Sequence, residues 1–349
     1  MKTLSASAHA ILNDPERIAC RELWFSRLTN LYAGKSDPFL DRYVLTLSGR
    51  IPRPSEEEVS RYTDPENWVV ACLELLAQQA ENVEDRFCPL CVEYSLYDTH
   101  YIDKIFGGHV YLHGDQWHTD YLQTPVGSLK MPDLETDETW SLSRRAAKAF
   151  LDADVKLPLF GLPTLSSPLN ILVNLYGEEA LVAMFEDEAA VRHDLGIIND
   201  VIRSLHRWYI ENIPAEQLQP VISWERTQPH GFGQLCGCTT QLLGTELYRD
   251  FIAPLDDMLL GEYENGGMIH LCGAHAQHIE TFASMPHLRA IQINDRACAD
   301  LELYLDGLRK DQIIYLNPCK EMSAEEAVRL SGGERLVICA RRPAIEKAK

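Results

Sequence analysis

Long hydrophobic runs and concentrations of positive charge are both missing from this sequence. In 349 residues, no stretch is apolar enough to cross a bilayer. Lys and Arg number 32 against 52 Asp and Glu, which gives a formal net charge of −20, and no basic run locally reverses that sign. Because such a surface repels a phosphate backbone, we do not expect nucleic-acid binding. Because long apolar runs are missing, we do not expect a membrane-spanning segment.

A secretory signal is also missing. The opening residues, MKTLSASAHA, contain no long apolar stretch before the polar segment NDPE at 13–16. We therefore expect a cytoplasmic protein. The ten cysteines are dispersed through a long chain, and in that setting they are more often buried thiols, metal ligands or nucleophiles than disulfides.

Two helix-start signals stand in the first 80 residues. Asp14 and Asp64 each precede a proline, which suits the first helical position, and apolar residues follow both at helical spacing until Gly34 stops the first helix. Residues 1–80 are predicted to form helices and loops that pack on the remainder, 81–349, in one structural domain. Residues 106–137 are rich in Gly, His, Asp and Pro, which favours loops or a small hairpin.

The later part of the chain alternates short apolar runs with helical stretches. The predicted strands are 268–272, 289–293, 312–316 and 335–339, and the helices between them are 275–284, 297–308 and 323–330. Repeated strand–helix units predict a parallel α/β fold. The periodicity does not choose between a barrel and an open sheet, although the glycine-rich GFGQLC at 231–236 breaks the dinucleotide fingerprint of open sheets.

Metal-binding side chains occur where these strands end, which is where parallel α/β folds bind ligands. His270 and Cys272 alternate on one face of their strand, so one imidazole and one thiolate can share a metal. A third donor is available from Cys319 or Cys339 on later strand ends. This donor set favours Zn²⁺. The competing interpretation is a pair of buried core residues, since free cysteine is often buried.

Other polar residues have weaker signals. Asp295 ends one strand, and Glu225 with Arg226 ends another predicted at 221–224, so each is a candidate for contacting substrate. A four-thiolate zinc site from Cys88, Cys91, Cys236 and Cys238 is disfavoured, because the two pairs have unlike spacings. Three histidines lie in the segment before the later strands, where they would serve as acid–base groups or simply as solvated loop residues: His109, His113 and His118.

Three segments together resemble the uroporphyrinogen decarboxylase superfamily. They are PLFG at 158–161 with the helix after it, GTELYRDFIAPL at 244–255, and HLCG at 270–273. The similarity spans roughly residues 85–340. It implies a (β/α)8 TIM barrel with an N-terminal helical extension, and by analogy a homodimer.

Within that superfamily, His-x-Cys at one strand end and Cys at the last mark zinc-dependent methyltransferases. The resemblance implies zinc ligands His270, Cys272 and Cys339, a corrinoid protein as partner, and a thiol or similar small-molecule methyl acceptor or donor. Asp295 or Glu225 would then orient substrate. The glycine turn usual around the last cysteine is replaced here by Ile338-Cys339-Ala340.

Two alternatives remain open. One is a metal-independent decarboxylase or lyase of the same superfamily, although the arginine-rich segment of the porphyrinogen decarboxylases has no counterpart here. Such an enzyme would need cations such as Arg226, Arg296 and Arg341 in its pocket. The other is a non-catalytic relative that keeps only the barrel.

Overall fold

The structure is a computed structural model, and it describes residues 3–35, 47–48, 60–80, 90–94, 96–163, 166–219 and 226–339. The chain begins with helices α1 (Ala6–Leu12) and α2 (Pro15–Tyr32). The Asp14 side chain accepts a hydrogen bond from the Glu16 backbone N–H and starts α2, and Gly34 follows its end with a φ of 77°. The predicted N-terminal helix is confirmed.

A four-stranded parallel sheet carries the first half of the chain. Its strands lie in the order β1, β2, β5, β6. In chain order the elements are β1 (Leu47–Ser48), α3 (Pro65–Gln79), β2 (Leu90–Glu93), α4 (Tyr101–Ile105), β3 (Val110–His113), β4 (Gln116–Thr119), α5 (Glu138–Asp152), β5 (Leu159–Gly161), α6 (Pro168–Tyr176), α7 (Glu178–Glu186), α8 (Glu188–Asn212) and β6 (Leu218–Gln219). Strands β3 and β4 pair separately as an antiparallel hairpin, as predicted for 106–137.

A five-stranded parallel sheet carries the second half. Its order is β11, β10, β9, β8, β7, so each strand lies beside the next one in sequence. The elements are β7 (Gly233–Cys236), α9 (Thr245–Leu247), α10 (Ala253–Leu260), β8 (Gly267–Cys272), α11 (Ile279–Ser284), β9 (Leu288–Asn294), α12 (Leu301–Gly307), β10 (Ile313–Leu316), α13 (Ala324–Ser331) and β11 (Leu336–Ile338). The four predicted late strands are confirmed to within two residues at each end.

The two sheets share one interior cluster of buried side chains. Cys91 and Leu159 of the first sheet join residues from every strand of β8–β11, and helix α2 adds its own apolar face to the same cluster. The members are Trp24, Phe25, Leu28, Leu31, Tyr32, Cys91, Leu159, Phe232, Met268, Ala290, Ile313, Tyr315, Val337 and Cys339. The chain is therefore an α/β protein with parallel sheets, and its N-terminal helix α2 packs in the cluster that both sheets share.

Within the described part of the chain, no helix combines the length and the apolar character needed to cross a membrane.

Candidate metal centre

Two neighbouring strands of the second sheet bring their carboxyl ends together. Strand β7 ends at Cys236, which pairs in register with His270 of β8. The chain turns at Gly237 and returns Cys238 to the same place at the start of a 3₁₀ turn (Cys238–Leu242). A Cβ atom on Gly237 would lie 2.9 Å from Ile269 Cγ2, so glycine allows this turn to approach β8 closely.

Three side chains at this point have donor atoms suited to one metal ion. The donor atoms of Cys236, Cys238 and His270 all lie within 4.8 Å of one another, and the two sulfur atoms are 3.4 Å apart. Cys236 is 9% exposed and His270 is 6% exposed. The group is therefore shielded from water on most sides.

A fourth donor, Cys272, adjoins this group. Its sulfur is 3.0 Å from His270 Nε2, and Asn294 Nδ2 lies 3.8 Å from the same sulfur. Hydrogen bonding with Cys238 lowers the pKa of the Cys236 and Cys272 thiols and raises the pKa of Cys238.

Gln292 on β9 fixes the orientation of the His270 ring. Its side-chain oxygen accepts a hydrogen bond from His270 Nδ1, and its Nε2 donates to Asn317 Oδ1 and to the Ile293 carbonyl. Because an amide oxygen only accepts, the proton of neutral His270 lies on Nδ1. The lone pair on Nε2 then faces the thiols, which is the tautomer a metal ligand requires.

A second layer of side chains joins the two loops that carry the cysteines. His275 is buried, donates from Nε2 to the Cys272 carbonyl at 2.7 Å, and contacts Thr240 Oγ1 through Nδ1 at 3.0 Å. Burial lowers the pKa of His275 to about 4, so its ring is neutral at physiological pH. His278 Nε2 donates to the Thr240 carbonyl at 3.0 Å. These bonds hold the loop after β7 against the loop after β8.

Of the zinc ligands suggested by the sequence, the structure brings His270 and Cys272 together and places the others elsewhere. Cys339 is buried in the interior cluster with Tyr32 and lies outside the donor group. Cys319 lies in the loop after β10, with its sulfur 3.7 Å from the Asp295 carbonyl.

The proposed substrate-orienting residues and the histidines also have defined positions, with one exception. Asp295 is exposed just beyond β9 and has a φ of 50°. Glu225 and the strand predicted at 221–224 lie outside the described residues. On the hairpin, His109 pairs with Asp120 at 2.8 Å in the open, and His118 stacks on Tyr111.

Cys236 and Cys238 are the two donors that the sequence did not predict for this site. Their spacing suggested only a disfavoured four-thiolate site with Cys88 and Cys91; Cys88 lies outside the described residues, and Cys91 belongs to the interior cluster. A usable signal was present, because Cys236 ends a short apolar run like the one that ends at Cys272.

Comparison with solved structures finds a similar fold in an archaeal protein. A methyltransferase from Methanosarcina mazei superposes with a TM-score of 0.61 over 92% of this chain and 94% of that chain, at 12% sequence identity. At this identity, the similarity establishes the fold alone. Neither a protein-family model nor a curated protein sequence matches the chain.

Proposed function

We propose that this protein is a zinc-dependent methyltransferase that moves a methyl group between a corrinoid protein and a thiol or similar small-molecule acceptor. The observation that carries the proposal is the convergence of Cys236, Cys238 and His270 at two adjacent strand ends. The fold similarity to a methyltransferase supports it independently of these residues.

The donor set fits zinc better than the other common metals. Two thiolates and one imidazole are ligands that borderline-soft Zn²⁺ accepts in tetrahedral sites, whereas Mg²⁺ and Ca²⁺ require oxygen ligands. Cys236, Cys238 and His270 would hold the ion, and Gln292 would keep His270 Nε2 directed at it. Bound zinc would lower the pKa of an acceptor thiol and so maintain a thiolate at neutral pH.

Around the ion, residues of this chain would position the acceptor. Cys272 is close enough to His270 to serve as the fourth ligand before the acceptor arrives, and Asn294 would hold the released thiolate through its side-chain N–H. Asp295 and Glu225 stay candidates for orienting the acceptor from the strand ends. Cys339 and Cys319 are not needed for a complete set of ligands in this proposal.

We further infer that the two parallel sheets close into one (β/α)8-type barrel. Ser166, beyond β5 of the first sheet, forms a parallel bridge with Cys236 of β7 in the second sheet, and Ser167 donates its backbone N–H to the Cys236 carbonyl at 2.8 Å. The shared interior cluster also supports closure. In a barrel, the metal centre would lie at the carboxyl-end face, where such folds place their active sites.

One observation favours a second candidate function. With Cys272 included, the site has four protein donors, and closed four-ligand zinc sites are usually structural. The protein would then be a non-catalytic barrel relative whose zinc joins β7 to β8. A metal-independent lyase would instead need a cationic pocket, and of the three arginines considered for it, Arg341 lies outside the described residues.

Metal analysis is the first test. Protein purified without an affinity tag or added metal is expected to contain about one zinc per chain. Cys238→Ser should lose that zinc, whereas Cys339→Ser should keep it, because Cys339 lies in the interior cluster. Wild-type protein that contains no zinc, and takes none up, would contradict the zinc proposal.

Activity then separates the two zinc-containing candidates. The zinc-loaded protein is mixed with methylcobalamin and a panel of small thiols, and the loss of the cobalt–methyl absorbance is recorded. Thiol-dependent demethylation that disappears in Cys238→Ser supports methyl transfer. A stable, zinc-loaded protein that is inert with every thiol, and with a methylated corrinoid protein, would favour the structural site.

A further inference from the structure

A second pair of thiols lies at the next two strand ends. Cys298 belongs to the 3₁₀ turn after β9 (Asp295–Asp300), and Cys319 follows β10. Each sulfur lies within 3.7 Å of a backbone carbonyl in the loop or turn that carries the other: Cys298 Sγ near the Asn317 carbonyl, and Cys319 Sγ near the Asp295 carbonyl. Cys298 is fully buried, whereas Cys319 is half-buried. Neither belongs to the candidate metal centre, and the proposed function uses neither.

The surrounding backbone holds this pair together. Cys298 Sγ lies 3.5 Å from the Ile293 carbonyl and 3.4 Å from the Asn317 carbonyl, so it bridges the ends of β9 and β10. Cys319 Sγ approaches the Asp295 carbonyl at 3.7 Å from the other loop. The Cys319 backbone N–H donates to Met322 at 2.9 Å, which folds its loop into a turn. Each sulfur is therefore held against the loop that carries the other.

From this arrangement we propose that Cys298 and Cys319 form a dithiol site that reacts with small-molecule disulfides to give an intrachain disulfide. Two neighbouring thiols, one partly exposed and one enclosed, have the arrangement this reaction needs. The inference does not depend on the proposed methyltransferase activity, because it uses different sulfur atoms.

The exchange proceeds in two steps. The Cys319 thiolate attacks one sulfur of a disulfide R–S–S–R, and one R–S⁻ leaves and takes up a proton. Cys298 then attacks the Cys319 sulfur, the Cys319–S–R bond breaks, and the proton of Cys298 passes to the departing second R–S⁻. The protein loses two thiols and gains one disulfide bond, while the small disulfide is reduced to two thiols. Cys319 reacts first because it is the accessible thiol; burial raises the pKa of Cys298 and keeps it protonated until the mixed disulfide is beside it.

The site adjoins the candidate metal centre. Asn317, two residues before Cys319, accepts a hydrogen bond from Gln292, and Gln292 contacts His270. A disulfide at this point would tie the loop of Asn317 to the turn after β9. The small-molecule disulfide would therefore act on the loop that supports the His270 ring, without touching a metal-binding sulfur.

The test is peptide mapping after exposure to oxidised glutathione. The full chain, saturated with zinc so that the thiols of the metal centre are covered, is oxidised, blocked with a thiol-specific alkylating reagent, digested without reduction, and analysed by mass spectrometry. We expect one linked peptide pair that contains Cys298 and Cys319, and its disappearance on reduction. Because the readout identifies individual cysteines, it holds whether or not the metal centre proves catalytic.

Two variants sharpen the result. In Cys298→Ser, oxidation is expected to stop at the mixed disulfide between Cys319 and glutathione. Cys20→Ser is the matched control: Cys20 is another half-buried thiol, on helix α2, and its loss should leave the 298–319 link intact. Wild-type protein in which Cys319 carries glutathione while Cys298 remains free to alkylate would overturn the proposal, as would protein in which both cysteines are alkylated and unlinked.

Discussion

Gln292 determines, at the scale of single residues, which nitrogen of His270 faces the thiols. It is 1% exposed and its side chain lies between His270 and Asn317, so it has no room to rotate toward solvent. Hydrogen-bond partners of metal-bound histidines orient the ring and raise its basicity. A change at Gln292 therefore acts on the metal without removing any ligand.

We expect Gln292→Leu to weaken zinc binding by about 10- to 100-fold, the usual cost of losing such a partner. Gln292→Glu keeps an oxygen acceptor for His270 Nδ1 and should retain affinity closer to that of the wild type. Competition with a chromogenic zinc chelator measures both variants. Equal affinities in wild type, Gln292→Leu and Gln292→Glu would contradict this role of Gln292.

Only half of the donor cluster follows from local sequence pattern. His270 and Cys272 are two residues apart on one strand, and the alternation of strand side chains puts them on one face. Cys236 and Cys238 lie more than 30 residues earlier, and they reach the cluster because β7 pairs with β8 in the register that sets Cys236 beside His270. No single segment encodes that register. The turn that returns Cys238 depends in addition on the contact of Gly237 with Ile269.

At the scale of elements, the sequence predicted where helices begin and where the late strands lie, but not where a helix is interrupted. Asp-Pro pairs began α2 and α3, and short apolar runs gave the late strands. Helices α7 and α8 are separated by the single residue Asp187, without a glycine or proline at the break. Asp187 has a φ of −145°, and its side chain accepts a hydrogen bond from the Ala190 backbone N–H, so it caps the second helix. Whether the chain breaks at Asp187 or continues as one helix depends on how both helices pack.

Asp256 on α10 has a buried carboxyl group that links this helix to the start of α6 and to Tyr248. The Ser167 hydroxyl, at the residue before α6, donates to it at 2.7 Å, and Tyr248 donates to it at 3.2 Å. Burial raises the pKa of Asp256 from 3.8 to about 7, against the lowering effect of these two hydrogen bonds. Between these pH values, the folded state holds a proton at Asp256 that the unfolded state has released. This group's contribution to stability is therefore complete below about pH 4 and is lost as the pH rises through about 7.

Asp256→Asn should remove that dependence. As the pH rises from 5 to 8, we expect the free energy of unfolding of the variant to increase by about 1 to 4 kcal/mol relative to that of the wild type, because the amide has no charge to bury. Urea unfolding at the two pH values measures the difference. Asp306→Asn, at an exposed aspartate on α12, is the control and should follow the wild type at both. A wild type that gains stability with pH relative to Asp256→Asn would contradict the assignment.

At the scale of the whole molecule, helix α2 connects the N-terminal segment to the interior of the sheets. Trp24 and Phe25 lie in the same cluster as Met268, Ala290 and Val337, which come from three different strands. The sequence predicted that residues 1–80 pack on the rest of the chain in a single structural domain. It did not identify Trp24 as a contact, because apolar spacing in a helix shows which face is buried but not what covers it.

We expect Trp24→Ala to destabilise the entire protein by about 3 to 5 kcal/mol, the usual cost of truncating a buried tryptophan. Leu23→Ala, at the exposed neighbouring position, should change stability by less than about 0.5 kcal/mol. Urea unfolding is followed by far-ultraviolet circular dichroism and by fluorescence of the remaining tryptophans. If α2 and the strands unfold as one unit, both signals shift together to lower urea in Trp24→Ala. If residues 1–80 form a separate unit, the variant shows an early partial transition while the main transition stays at the wild-type midpoint, because the strands would not depend on the helix that covers their interior.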